Sequence, residues 1–316
     1  MSGEQPGLLM ARLGEPTAAA PVRLAAVADP HVATRAEGTS KLFEHTLGHF
    51  EAAIADIADR DVDAVVSPGD LTKDGEPWNA DAVEGALEAL DAPLYAVPGN
   101  HDVPKTGDEH DSVAVDAFAD RFGPGAYPFR ERVGDLDVLG LNSSGTADRL
   151  TETHDGRVDA EQRQWLASAL EDTEDALVLV HHNLPPVSDQ IRRHRDRVAE
   201  DMAIPPTMRD PGPLVDVLAE GGASLVLTGH LHLPLTGVDL GVREIAAPTT
   251  CSYPQSYLLL DITPAGTDVR LVPVADTDGL ELAHDRRARD STTARGLTSI
   301  GASRVASMPL AVEDRE

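Results

Sequence analysis

Short apolar runs alternate with amphipathic stretches from Val22 to Leu227. Val22 to Ala28 predicts a buried strand. It precedes a helix from about Ser40, in which Phe43, Leu47, Phe50, Ile54 and Ile57 recur at steps of four, three, four and three, the spacing of one helical face. Val62 to Ser67 predicts the next strand, Asn79 to Leu90 a helix and Pro93 to Val97 a third strand. A helix over Ser112 to Phe122 follows, then a hairpin over Phe129 to Leu141 with Gly134-Asp135 at its turn. Asp159 to Leu170 reads as a helix capped by Asp159, whose carboxylate can accept from unpaired amides of the first turn. Ala176 to Val180 is a strand, Pro213 to Ala219 a helix and Ser224 to Leu227 a strand. From Leu235 to Val274 the pattern turns to strands alone, at Val242 to Ala246, Tyr257 to Ile262 and Val269 to Val274.

Alternating strands and helices followed by consecutive strands predict a layered α/β (α+β) protein with mixed sheets, not a doubly wound parallel sheet. No internal repeat and no Gly/Ser linker divides the chain. The organisation expected is an N-terminal extension over 1–21, one main domain over 22–275 and a C-terminal tail over 276–316. The tail has little apolar periodicity from about His284. It reads as weakly ordered, or as an arm packing on a neighbouring subunit of a homo-oligomer.

Five polar clusters each follow a predicted strand: Asp29-Pro-His31, Gly69-Asp70, Gly99-Asn-His-Asp102, His181-His182 and Gly229-His-Leu-His232. In layered α/β folds the C-terminal strand ends share a rim where ligands bind, so these clusters are expected to meet. Two carboxylates, one amide and four imidazoles form an oxygen and nitrogen donor set suited to Mn, Fe, Zn, Co or Ni. Seven donors exceed what one catalytic ion with an open position takes. They suit two ions about 3.5–4 Å apart that share a carboxylate, as in two-metal phosphoester hydrolysis. Asp29 and His31, and likewise His230 and His232, stand at i and i+2, which extended backbone turns to one side. The glycines before Asp70, Asn100 and His230 permit tight turns and close backbone approach. A strand register would turn His181 and His182 to opposite faces, so only one should ligate; the residues alone leave open which.

The set D-x-H, G-D, G-N-H-D, H-H and G-H-x-H resembles that of the calcineurin-like metallophosphoesterase superfamily, over about Val22 to Val274. The resemblance implies a four-layer β-sandwich of two mixed sheets flanked by helices. It implies Asp29, His31, Asp70 and His232 around one divalent ion and Asp70, Asn100, His181 and His230 around the other, with Asp70 as the bridge. It also favours His181 over His182. His101 would face the substrate, stabilising phosphoryl charge or protonating the leaving oxygen, with Asp102 orienting it. The activity implied is phosphoester hydrolysis, foremost of a small diester such as a cyclic nucleotide or glycerophosphodiester, by hydroxide formed on two ions of Mn, Fe or Zn. A repair-type nuclease, a phosphomonoesterase and a non-catalytic scaffold are the alternative uses of this fold. Two departures stand out: Pro30 inside the first motif, and Asn183-Leu184 before Pro185, where relatives often have proline directly. Neither need disturb a ligating side chain.

Charge narrows the partner. Acidic residues number 54 against 26 basic ones, a net charge of −28 spread along the chain. Phosphate backbones are held by Lys and Arg, so nucleic acid and anionic membranes are not expected partners, and a small phosphoester is. The only lysines are Lys41, Lys73 and Lys105. This composition resembles that of proteins from halophiles, whose molar salt shrinks the Debye length to roughly 3 Å and screens self-repulsion. Dilute buffer is expected to destabilise the protein. The single cysteine, Cys251, excludes an internal disulfide and a Cys-based zinc site, and reads as a small buried hydrophobe. Met1 to Ala20 shows no basic then apolar leader and no run approaches membrane-spanning length, so the expectation is a soluble, cytoplasmic protein.

Arg192, Arg193, His194, Arg195 and Arg197 form a basic cluster in this acidic chain. They read either as a solvated helix paired with Asp189, Asp196 and Glu200, or as a lid on which Arg192, Arg193 and Arg195 hold a substrate phosphate. His45 and His49, an i, i+4 pair that could bind metal, read as surface or partly packed residues within an amphipathic pattern, and His110, His154, His194 and His284 as solvated residues of polar loops or helix faces.

Overall fold

Along the strand Val22–Ala26 (β2) successive side chains enter different apolar clusters, Leu24 and Ala26 one and Ala25 another. A strand covered on both faces requires that period of two, and it sets the layers of the fold. The computed structural model describes residues 7–105, 110–145 and 154–314.

β2 belongs to a seven-stranded sheet with β1 (Leu8–Leu13), β3 (Ala64–Ser67), β4 (Leu94–Ala96), β11 (Ser256–Thr263), β12 (Gly266–Pro273) and β13 (Ala311–Val312). The order is β13-β1-β12-β11-β2-β3-β4. A six-stranded sheet comprises β5 (Phe129–Val133), β6 (Leu136–Gly140), β7 (Ala176–Leu179), β8 (Leu225–Thr228), β9 (Leu235–Asp239) and β10 (Val242–Ala246), in the order β5-β6-β7-β8-β10-β9. Both sheets are mixed: β2, β3 and β4 run parallel with β11 antiparallel beside them, and β6, β7, β8 and β10 run parallel between antiparallel edges.

The inner faces meet in one core, where Leu24, Leu258 and Leu260 pack with Leu177, Leu179 and Leu227. The helices α1 (Thr46–Ala58), α2 (Pro77–Leu87) and α3 (Val115–Phe122) cover the outer face of the first sheet. The outer face of the second is covered by α4 (Ala160–Glu171) and, beyond α5 (Pro185–Val198), by α6 (Gly212–Glu220). These are the four layers that the family resemblance implies. Asp159 caps α4 as expected, accepting from Gln162 N at 2.9 Å. In α1 the expected face is buried at Phe50, Ile54 and Ile57, each worth ~1.5–3 kcal/mol relative to exposure. The helix starts later than the apolar pattern, because Leu42 takes a left-handed φ of 52° and a 3-10 turn, Phe43–His45, intervenes.

Both ends differ from the sequence reading. Leu8–Leu13 is an interior strand, not an extension, antiparallel to β12 and parallel to β13. The segment read as a weakly ordered tail or intersubunit arm instead forms α7 (Thr277–Asp290), capped by Asp276, and α8 (Thr292–Ala306), capped by Ser291. It packs on this chain: Ile300 joins Val187, Ile191 and Leu233 in an apolar cluster. Residues buried in α8 include Ala294, Gly296, Thr298 and Gly301, small side chains that pack closely and give no apolar periodicity. Residues 1–6 and 315–316 of the two terminal segments lie outside the described ones. Among the described residues no helix is long and apolar enough to cross a membrane.

Candidate metal centre

The loops leaving the C-terminal ends of β2, β3, β4, β7 and β8 carry the five polar clusters to one place. Asp29, His31, Asp70, His230 and His232 have φ of 49°, 45°, 55°, 69° and 58°. The i, i+2 pairs are therefore turned, not extended as the sequence reading expects. Left-handed backbone at non-glycine residues costs of order 1–2 kcal/mol each and persists only where surroundings hold it. Here Asp29 N donates to Gly69 O at 2.9 Å and His31 N to Asp70 O at 3.0 Å. Two turns also lock together: a Cβ on Gly69 would strike the Gly99 backbone, and one on Gly99 would strike Asp70.

Two groups of donor atoms flank Asp70. In the first, His31 Nε2 lies 2.9 Å from His232 Nε2, which lies 3.4 Å from Asp29 Oδ1. Ligand atoms of Asp29, His31, Asp70 and His232 all fall within 4.8 Å of one another. In the second, Asn100 Oδ1 lies 3.1 Å from His181 Nε2 and 2.9 Å from His230 Nδ1. Asp70 Oδ2 is 3.5 Å from both His31 Nε2 and His181 Nε2, between the groups. His181 Nδ1 faces the Pro68 carbonyl at 2.8 Å, which turns Nε2 inward. His182 stands beside it, but its Nδ1 faces Ser143 Oγ at 2.8 Å and its Nε2 faces the His154 carbonyl at 3.0 Å.

Burial lowers the basicity of His31, His181, His230 and His232, His230 to about 3, so that neutral rings with lone pairs face the centre. Burial, and then the neighbouring Asp70, raises the Asp29 carboxyl. Burial opposes ionisation of Asp70 as well, but His181, His101 and Lys41 outweigh it and hold that carboxyl well below its usual range. Buried carboxylates that repel one another, with imidazole nitrogens facing each other at 2.9 and 3.3 Å, are the contacts a cation relieves. This oxygen and nitrogen donor set fits divalent metal.

His101 N donates to Asp70 Oδ1 at 2.7 Å, leaving Oδ2 to the centre. Its Nδ1 lies 2.8 Å from Lys73 O and 2.9 Å from Asp74 Oδ1. Asp102 therefore does not orient this ring, contrary to the sequence reading. Its carboxylate accepts from Leu71 N, Thr72 N, Thr72 Oγ1 and Gly99 N, tying the β3 and β4 loops together. Asp74 takes the orienting place. Burial opposes its ionisation, but His101, Lys73 and Lys105 hold it strongly acidic.

Three further residues were not legible as site residues. His154 lines the cavity, its Nδ1 2.9 Å from Asn100 Nδ2, and is not merely solvated. Lys41 Nζ approaches His31 Nδ1 at 3.2 Å. Arg287, on α7, donates to the carbonyls of Leu231, His232 and Tyr253. All three lysines thus gather here, with Lys73 and Lys105 on Asp74 at 2.6 and 3.3 Å. Concentration of scarce lysines at separate sequence positions is a signal only in hindsight.

Arg192, Arg193 and Arg195 lie on α5 and do not line the cavity that holds the centre. Arg192 pairs with Asp189 and Arg195 with Asp196, each at 2.8 Å, as the solvated-helix reading has it. Arg193 borders a separate depression with Arg197 and Arg304. Cys251 is buried, accepting from Thr249 Oγ1 at 3.0 Å. His49 packs against Gln255, and His45 is exposed.

The family described as calcineurin-like phosphoesterase matches residues 22–234. A cAMP/cGMP dual specificity phosphodiesterase of Mycobacterium tuberculosis is 30% identical over 210 residues, 65% of this chain and 58% of the relative. A probable cyclic nucleotide phosphodiesterase of Rhodococcus erythropolis is 29% identical over 60% of this chain and 58% of its own length. The matched stretch thus spans little more than half of these two relatives. Among solved structures, a dimetal phosphatase from Danio rerio superposes with a TM-score of 0.59 at 16% identity, over 81% of this chain and 97% of that one. A purple acid phosphatase from yellow lupin gives 0.53 at 14% identity, over 84% and 53%. Both likenesses concern the fold.

Proposed function

The chain belongs to the calcineurin-like phosphoesterase family, and from that premise we propose that it hydrolyses a small phosphodiester, foremost a 3',5'-cyclic nucleotide, with two divalent ions. Asp29, His31, Asp70 and His232 would hold one ion and Asp70, Asn100, His181 and His230 the other. Manganese, iron and zinc suit these donors. The observation that carries the reading is the place of Asp70 Oδ2, equidistant at 3.5 Å from an imidazole nitrogen of each group. Ions bound there supply charge neutralisation at phosphorus and a water of lowered pKa.

The residues of the chain do the rest. His101 directs Asp70 through its backbone amide and commits its own Nδ1 to Lys73 O and Asp74. Its Nε2 is then the ring nitrogen left to stabilise a phosphoryl oxygen or protonate the leaving one. Asn100 is oriented by His154 so that its amide oxygen, not its nitrogen, meets His181 and His230. The names of the two bacterial relatives support the cyclic nucleotide, and a net charge of −28 weighs against a polyanionic substrate.

The test is hydrolysis of 3',5'-cyclic AMP and of p-nitrophenyl phosphate in molar KCl, after chelation and after Mn²⁺ restoration. Diester turnover that chelation abolishes and Mn²⁺ restores is expected, with the monoester slower. A folded, metal-loaded protein that turns over the monoester alone, or neither ester, overturns the reading.

A further inference from the structure

The cavity at the centre has a volume of about 400 Å³ and two walls of different origin. One carries Asp70, Asn100, His101, His230 and His232 and lies in the stretch that matches the family, residues 22–234. The other comes from beyond that stretch, from the elbow between α7 and α8. Arg287 fastens this elbow to the loop of His230 and His232. Arg287 is only 3% exposed and its guanidinium is spent on backbone carbonyls, Leu231 O at 3.3 Å and His232 O at 3.0 Å among them.

Past Arg287 the elbow presents Asp290, Ser291 and Thr293 to the cavity, then Ala294 and Leu297. Pro205, Pro206 and Leu231 add apolar surface. Lys41 and Arg287 are the only lysine and arginine lining it among the described residues, and both are engaged, Lys41 at His31 and Arg287 at carbonyls. Nothing that the elbow presents to the cavity is left to neutralise a second phosphate, and Asp290 opposes one. Apolar lining with a few hydroxyls and one carboxylate suits an uncharged body that carries hydrogen-bond donors, joined to the single anionic group the centre takes.

We propose that the α7–α8 elbow is the subsite for the organic group of the ester, with Leu297 and Thr293 setting which group is accepted. The proposal rests on the reading of the centre as a phosphoester site. Its test measures binding, so that it fails separately from hydrolysis. Dissociation constants of 5'-AMP, the product that keeps the nucleoside of 3',5'-cyclic AMP and is no longer a diester, and of inorganic phosphate are determined by calorimetry on the full chain, Mn²⁺-loaded, in molar KCl. The expected result is tighter binding of the nucleotide, with the ratio of the two constants reduced about 10-fold in Leu297→Ala, the size of effect that one lost apolar contact gives. Thr293→Val, nearly the same shape without the hydroxyl, which also accepts from Ala203 N at 2.9 Å, is expected to reduce the ratio as well; its Tm is recorded beside its binding, and it serves if the first variant does not fold. A nucleotide bound no more tightly than phosphate, or a ratio unmoved in the folded variants, overturns the proposal. Tight nucleotide binding without turnover of 3',5'-cyclic AMP would overturn the hydrolase reading and leave the subsite standing.

Discussion

Asp74 Oδ1 stands 2.9 Å from His101 Nδ1, while Asp102, next to His101 in sequence, spends its carboxylate on four donors of the β3 and β4 loops. Substituting the two aspartates therefore has different consequences. Asp74→Asn keeps the shape and removes the charge that orients the ring, and is expected to lower kcat about 10–100-fold with a small change in KM. Asp102→Asn sets an amide group among donors and is expected to cost ~2–4 kcal/mol of stability, read as a fall in Tm. Loss of kcat without loss of stability in Asp102→Asn would reverse the assignment.

What was legible follows from local rules. Strands buried on both faces write themselves as apolar runs, and chemistry at their ends writes itself as polar residues just after, which is why Asp29, Asp70, Asn100, His181 and His230 could be found together. Orientation was not legible, because it depends on turns with no local signature. Asp102 is adjacent to His101 in the chain, yet the tight turn from Gly99 directs its carboxylate back under the β3 loop. Asp74 and His154 reach the centre from loops whose composition is that of any polar surface. Arg287 comes from a helical segment whose buried side chains are too small to show a hydrophobic period. The preference for His181 over His182 rests on the family pattern, and the contact that turns the His181 Nε2 inward, with the Pro68 carbonyl, spans 113 residues and has no local signature.

Glu244, on β10, is 1% exposed and accepts from Thr228 Oγ1, Asn183 Nδ2 and Leu184 N behind the His181 turn. Burial pushes its carboxyl from 4.5 to about 7, against those donors. Between these values the folded state keeps a proton that the unfolded state has released, so stability falls as pH rises through the window and levels off above it. The total is on the order of 3 kcal/mol. Asp102, raised to about 7 by burial and Asp70, adds a slope of the same sign. The readout is thus a difference: denaturant melts from pH 4.5 to 8 should show a shallower decline in Glu244→Gln than in the natural protein. Equal slopes would remove Glu244 from the account.

A chain of net charge −28 repels itself, and its cations are mostly arginines, several of them already paired with acidic neighbours, such as Arg121 with Asp81 and Glu84. Added salt shortens the range of the repulsion from about 10 Å at 0.1 M to about 3 Å at 1 M. Tm is therefore expected to rise steadily between 0.1 and 3 M KCl, with most of the gain below 1 M if screening is the cause. A Tm that is flat or falls with KCl would show that self-repulsion does not limit this fold.

His181, His182 and His230 have ligand atoms within 4.8 Å of one another, but the two neighbours differ in their hydrogen bonds. His181 offers Nε2 to Asn100 Oδ1 and Asp70 Oδ2, so His181→Ala should remove a donor: bound Mn²⁺, counted by elemental analysis after gel filtration, should fall from two per chain toward one, with kcat at least 100-fold lower. His182 has both ring nitrogens on the protein, at Ser143 Oγ and the His154 carbonyl, and its ring fills the space a Cβ on Gly156 would need. It acts on the centre through His154, which in turn holds the Asn100 amide. His182→Ala should keep two ions at saturating Mn²⁺ while weakening their affinity about 10-fold, because the loop of His154 loses its support. Loss of an ion at saturation in His182→Ala, with two retained in His181→Ala, would transfer the ligand to His182. It would also require that ring to give up both of its present partners.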